Sequence, residues 1–207
     1  MTGRFLRIFV ILMLLTLATG GASLAIQGPL PGDVTITRGV QAAFGLQPSW
    51  AEWLTQTARP PLVVATIVVG AGMAWLAASW RVALAVPVAF GLAWLTDMIL
   101  RAAILVPRPS PDLVAVVSAS GSSGLPSTFG LTYGSIFGVA VIVVAGSRRA
   151  LFMRVLALAV VVAGSSARVV LGGHWPSQML ASVLLGLLAS LVACKAIGWM
   201  PVKRSDQ

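Results

Sequence analysis

The sequence predicts an all-α, polytopic membrane protein with six transmembrane helices in a bundle. Of its 207 residues, 58% are hydrophobic and only 9% are charged, against roughly 25% charged in soluble domains. Mean hydropathy is +0.97. Apolar stretches also recur at about the 20 residues that a helix needs to cross a bilayer.

The first stretch, 8–26, follows Arg4 and Arg7 and ends in small residues around Ser23-Leu24-Ala25. Secretory signal peptides share that layout, but the apolar run exceeds a typical signal core of about 7–15 residues, which favours an uncleaved first span. From Pro31 to Pro60 the composition is mixed. Trp50 and Trp53 there lie three apart on a short helical stretch, as in a segment lying in the membrane interface, and a loop anchored by its tryptophans is an equal alternative. Stretches 62–80, 126–146 and 175–194 carry no charge. Two more are interrupted, 82–106 by Asp97 and Arg101 and 150–170 by Arg154 and Arg168. On this count residues 1–59 form the first span plus an outer interfacial segment, 60–198 the main membrane domain, and 199–207 a short cytoplasmic tail.

Orientation follows from the excess of Lys and Arg in cytoplasmic loops. A cytoplasmic N-terminus puts Arg4, Arg7, Arg81, Arg148, Arg149, Arg154, Lys195, Lys203 and Arg204 inside, so the net charge of +9 reads mostly as topology and not as a nucleic-acid footprint. Arg38, Arg59, Arg101, Arg108 and Arg168 fall outside, the last three at span ends, where a cation needs a reason. Trp80 and Trp199 are expected at the inner boundary and Trp175 at the outer one. The single Cys194 excludes an intrachain disulfide and reads as an apolar core residue. With His174 as the only histidine, two-imidazole mechanisms and Cys/His zinc clusters are excluded. The acids Asp33, Glu52, Asp97, Asp112 and Asp206 are scattered, so no metal or cofactor is expected.

Six spans bring the unusual polar residues to one outer face: Arg101, Arg108-Pro109, Pro126-Ser127-Thr128-Phe129, Ala167-Arg168 and His174-Trp175-Pro176-Ser177-Gln178. Three arginines beside a helix N-terminus form a site for phosphate, because guanidinium forks bind it bidentately and first-turn N–H groups accept an anion. A phosphorylated lipid head group fits that depth.

These blocks resemble the signature of the type 2 phosphatidic acid phosphatase family, membrane relatives of bacterial acid phosphatases and vanadium haloperoxidases. The family's first block, Lys, six residues, Arg-Pro, is here Arg101, six residues, Arg108-Pro109. Its second, Pro-Ser-Gly-His, is Pro126-Ser127-Thr128-Phe129. Its third, Ser-Arg, five residues, His, three residues, Asp, is Ala167-Arg168, five residues, His174, three residues, Gln178. The resemblance covers roughly 101–178 and, by span count, the whole chain. It implies a phosphate cradle of Arg101, Arg108, Ser127, Thr128 and Arg168 and a nucleophile at His174 that forms a phosphohistidine. It also implies that the general-acid histidine has become Phe129 and the orienting aspartate Gln178, whose amide oxygen can still accept from the imidazole. The implied setting is the bacterial inner membrane, with both termini cytoplasmic and the site on the outer face.

General acid catalysis contributes about 10²–10⁴-fold. A lipid alkoxide leaving group needs that proton, its conjugate acid lying near water at about 16; a phosphate-ended one, with a second pKa of roughly 6, does not. The expected substrate is therefore a lipid diphosphate, such as a polyprenyl carrier, in preference to a phospholipid phosphate. The alternative is a non-catalytic pseudophosphatase that binds phosphorylated lipid or acts as a membrane partner subunit. No inverted repeat supports a transporter. Plainer roles stay open at single positions. His174 fits a polar cap after Gly172-Gly173, Asp97 and Arg101 neutralise each other at i,i+4, and Arg108 fits an interfacial anchor. Ser118–Gly124 has the composition of a mobile outer loop or of a plain connector.

Overall fold

The computed structural model describes residues 3–117, 120–143 and 146–199, and among them the chain is all-helical. Nine helices follow in order: α1 (Gly3–Ile26), α2 (Asp33–Phe44), α3 (Ser49–Gln56), α4 (Leu62–Ala77), α5 (Trp80–Ala83), α6 (Ala85–Ala103), α7 (Thr128–Ile142), α8 (Arg148–Val170) and α9 (Pro176–Ala196). Lys203 and Arg204, the sequence-based inner charges nearest the C-terminus, and nearly all of the predicted cytoplasmic tail lie outside the described residues.

Each predicted span coincides with a helix, but the lengths differ. Gly3–Ile26, Trp80–Ala103, Arg148–Val170 and Pro176–Ala196 are long and apolar enough to cross a membrane. The other two, α4 and α7, have 16 and 15 residues. At 1.5 Å per residue each falls short of a hydrocarbon core of about 30 Å. α7 stops early because it lies inside the bundle: every residue from Phe129 to Ala140 is buried.

Glycines let the helices close on α7. A Cβ on Gly134 would stand 2.5 Å from the Val183 carbonyl oxygen of α9, and one on Gly186 of α9 would stand 2.7 Å from the Leu131 oxygen of α7. Small residues of this kind allow backbone contact between helices in a membrane, where apolar burial gives little drive. Ser190 Oγ strengthens the pair by donating to Ser135 O at 2.8 Å. Tyr133, Ile136, Phe137 and Val139 of α7 join a core with Met73 of α4, Val86 of α6, Val161 of α8 and Cys194 of α9. The outward side chains are apolar too, such as Leu14 and Leu17 of α1, Val68 of α4 and Phe152 and Val162 of α8, all exposed.

Helix starts follow local chemistry. Ser147 Oγ accepts from Ala150 N at 3.1 Å and opens α8. Pro176 occupies the first turn of α9, where its missing N–H costs nothing, and Gln178 Oε1 accepts from Trp175 N at 3.2 Å. The Trp175 ring, expected at the membrane boundary, is instead buried at 1% exposure, because α9 begins under the connecting loops.

Between the first two predicted spans the chain forms two helices and not an anchored loop. α3 carries Trp50 and Trp53, and Trp50 packs edge-on against Phe44 of α2. Asp33 is buried and accepts from Ser177 N (2.9 Å), Ser177 Oγ (2.6 Å) and Leu30 N (2.7 Å). Gln41 Nε2 donates to the carbonyls of Ala115 (2.7 Å) and Val170 (3.0 Å). The segment is thereby fixed to the start of α9 and the end of α8.

Candidate functional site

A cavity of about 310 Å³ opens at the end of the bundle where α6 and α8 finish and α7 and α9 begin. Arg101, Arg108, Thr128, Phe129, Arg168 and His174 line it, so residues from all three sequence blocks meet in one place. Thr55 of α3, with Ala58 and Arg59 of the α3–α4 connection, supplies one wall, and Ser120 and Ser122 supply another from the loop before α7. Among the described residues no group of three or more His, Cys, Asp and Glu side chains comes together to hold a metal.

Arg101 and Asp97 do form the i,i+4 ion pair, Nε to Oδ1 at 3.0 Å. The pairing does not withdraw Arg101 from the cavity. Its Nη2 donates to Pro126 O at 2.9 Å and to Thr128 Oγ1 at 2.7 Å, while the Thr128 hydroxyl donates to Asp97 Oδ2 at 2.9 Å. Asp97 thus aims the guanidinium and fixes the first residue of α7.

Arg108 is held by the loop before α7. Nε donates to Ser122 O (2.8 Å), Nη2 to Ser122 Oγ (2.8 Å) and Nη1 to Gly173 O (3.0 Å). Nη1 also faces His174 Nε2 at 3.3 Å. Burial, with Arg101 near, lowers the pKa of this guanidinium. Residues 118 and 119 of the predicted loop lie outside the described residues, whereas Ser122, Ser123 and Gly124 form a hydrogen-bonded wall.

Arg168 contrasts with both. It lines the cavity, yet its Nε is buried with no hydrogen-bond partner among the described residues. Gly173 makes room for it, since a Cβ there would stand 2.6 Å from Arg168 Nη2. A buried guanidinium N–H without a partner is costly unless an acceptor completes it.

His174 is 2% exposed, and its Nδ1 lies 2.8 Å from Gly124 O. A carbonyl only accepts, so Nδ1 carries the hydrogen and the Nε2 lone pair is directed to the Arg108 side. Burial, then Arg108 and Arg168, hold the imidazole pKa well below its usual value, against a smaller upward pull from the Gly124 hydrogen bond and with a further lowering by Arg101. The ring is therefore neutral with Nε2 free of a proton. Because the unfolded chain binds that proton near pH 6.5 and the folded chain does not, folded-state stability falls as pH drops below about 6.5. As the only histidine, His174 gives a direct test: its ring ¹⁵N resonances should show no protonation midpoint between pH 7.5 and 6.5, and a midpoint in that window would contradict this electrostatic account.

Two sequence-based assignments move. Ser127, expected to hold phosphate, is fully buried; its Oγ accepts from Gly130 N at 3.4 Å to cap α7, and its N donates to Ser182 Oγ at 2.7 Å. Gln178, expected to accept from the imidazole, instead donates from Nε2 to Pro107 O at 2.8 Å and accepts from Trp175 N. The imidazole is oriented by the main chain of Gly124. A Cβ on Gly124 would lie 2.7 Å from Gln178 Nε2, so Gln178 supports the residue that holds the histidine. Restoring the acid by Gln178→Asp is accordingly expected to destabilise, by about 1–3 kcal/mol, since Pro107 O loses its donor. A lower melting temperature in detergent with no gain in turnover is the expected result; a gain would show that the carboxylate reaches the ring.

Sequence reasoning also missed residues. The sequence marks Arg59 only as an outer charge, and nothing in its local sequence sets it on the cavity that Arg168 lines. Gly124 lay in a Ser/Gly run whose composition hid its role.

The fold as a whole is similar to that of a solved transmembrane protein. The crystal structure of the transmembrane PAP2 type phosphatidylglycerolphosphate phosphatase from Bacillus subtilis matches with a TM-score of 0.65, covering 98% of this chain and 98% of that one at 22% identity. The likeness at this identity is one of fold. No family model matches the chain, and no curated protein matches it.

Proposed function

We propose that this chain is an integral membrane lipid-phosphate phosphatase of the type 2 phosphatidic acid phosphatase kind, built on six spans with both termini cytoplasmic and the cavity facing outward. The substrate is a phosphorylated lipid. Arg101, Arg108 and Arg168, with the first turn of α7 at Thr128 and Phe129, hold the phosphoryl group, and His174 Nε2 attacks phosphorus. The observation that carries this reading is the pair formed by Arg168 and His174: a guanidinium whose buried Nε has no partner among the described residues and a neutral imidazole with its Nδ1 proton fixed, on one cavity.

Phe129 favours a second reading. It fills the position of the expected general acid, and no other carboxyl, thiol or imidazole lines the cavity among the described residues. A site so made binds a lipid phosphate without cleaving it. Phosphate release by detergent-purified protein from a panel of lipid mono- and diphosphates, with acid-labile phosphohistidine followed in parallel, separates the two. Release with trapped phosphohistidine supports the enzyme, and tight binding without either supports the binder.

A further inference from the structure

Tyr133 lies in the buried run of α7, one helical turn beyond Phe129. Its ring is wedged in place. It stacks on Phe129 with centroids 4.1 Å apart, meets Phe137 edge-on at 5.2 Å, and a Cβ on Gly164 of α8 would stand 2.7 Å from its Cε1. A phenol fixed in this way aims its hydroxyl in one direction, and a buried hydroxyl needs a partner. That partner is Thr57 Oγ1, in the turn between α3 and α4. The Thr57 hydroxyl hydrogen is already given to Leu54 O at 2.7 Å, so the Tyr133 hydroxyl is the donor.

The same turn carries a cation that the three sequence blocks lack. Arg59 stands two residues beyond Thr57 and lines the cavity with Arg101, Arg108 and Arg168. Its guanidinium forms no ion pair among the described residues, so the course of the turn decides where that charge stands. Other side-chain hydrogen bonds here stay local: Thr55 Oγ1 donates to Glu52 O at 2.8 Å, and Thr66 Oγ1 of α4 to Thr57 O at 2.7 Å. Among the described residues, Tyr133 supplies the hydrogen bond that joins this turn to the bundle core.

We propose that Tyr133 is a positioning residue for phosphate binding, its hydroxyl acting through Thr57 to set Arg59 against the bound anion. The proposal rests on the cavity being the phosphate site. Tyr133 does not line the cavity, so its effect on the anion passes through Arg59. Removing the hydroxyl alone leaves the ring packed between α7 and α8 and frees the turn to carry Arg59 away.

The test is equilibrium binding of inorganic phosphate, which is not consumed, to the purified full-length protein in detergent. Tyr133→Phe and Arg59→Gln are each expected to weaken binding on the order of tenfold, the worth of one charge-assisted hydrogen bond. The double variant should bind no more weakly than either, because residues that act through one another do not add. Thr57→Val, which removes the acceptor, should match Tyr133→Phe, and Thr57→Ser should bind as the native chain does. Fully additive losses overturn the proposal. Native affinity in Tyr133→Phe, even with a lowered melting temperature, or in Arg59→Gln overturns it as well, and weak binding by Arg108→Gln in the same series leaves the phosphate site standing. Native affinity in both Arg108→Gln and Arg168→Gln removes the phosphate site and the proposal together.

Discussion

Phe129→His is expected to raise hydrolysis of a lipid phosphomonoester by about 10²–10⁴-fold, the usual contribution of a positioned general acid. The substitution fits the site. Phe129 lines the cavity and stacks on Tyr133 with ring centroids 4.1 Å apart, and Gly164 leaves the space its ring fills, so a smaller imidazole enters without overpacking. The arginines that hold His174 unprotonated will act on the new ring as well, which places the gain toward the lower end of that range. Turnover of a lipid diphosphate should change far less, because its leaving group never needed the proton. Initial rates on a matched mono- and diphosphate pair check this. An unchanged ratio, with phosphohistidine still forming, would mean that position 129 does not face the leaving oxygen.

His174→Ala is expected to abolish both phosphohistidine and phosphate release. Loss of an attacking residue from a coupled catalytic set costs on the order of 10⁶ in kcat in the well-studied serine protease case, enough to put any activity here below detection. Binding of the lipid phosphate should survive, because Arg101 is aimed by Asp97 and Arg108 by Ser122 without help from the imidazole. The loss in fold stability should be near 1 kcal/mol, the value of a typical hydrogen bond, from the tie to Gly124. Equilibrium binding measured beside phosphohistidine formation checks both halves. Undiminished turnover in the variant would remove His174 from the chemistry.

The helices were legible because apolar runs of spanning length are a strong signal that needs no tertiary knowledge. The arginine spacing was legible for a related reason: Arg101 and Arg108 bracket one helix end, and Arg168 and His174 bracket another, so sequence separation alone brought them to one face. What stayed hidden were the contacts made by main chain and by distant segments. That Gly124 O would replace a carboxylate on the imidazole depends on where a Ser/Gly loop lies, and composition is silent on that. Arg59 reaches the cavity because neighbouring Thr57 hydrogen-bonds Tyr133 of α7, while Asp33 and Gln41 fix α2 to α9 and α8, all pairings distant in the chain. Ser127 is instead buried and caps α7, as a Ser at a helix start commonly does.

The unpartnered Arg168 ties the integrity of the protein to its surroundings. With Arg101 paired to Asp97, the charges of Arg59, Arg108 and Arg168 repel across one cavity, and an anion bound there relieves that repulsion only in the folded state. Ligand that binds the folded state alone stabilises it by RT ln(1 + [L]/Kd), about 2.7 kcal/mol at a hundredfold excess over Kd. On the function proposed above, a phosphate-ended lipid in the cavity would support the fold as well as occupy the site. In the proposed reading, adding a phosphate-ended lipid to the purified protein raises its melting temperature, and removing the lipid lowers it.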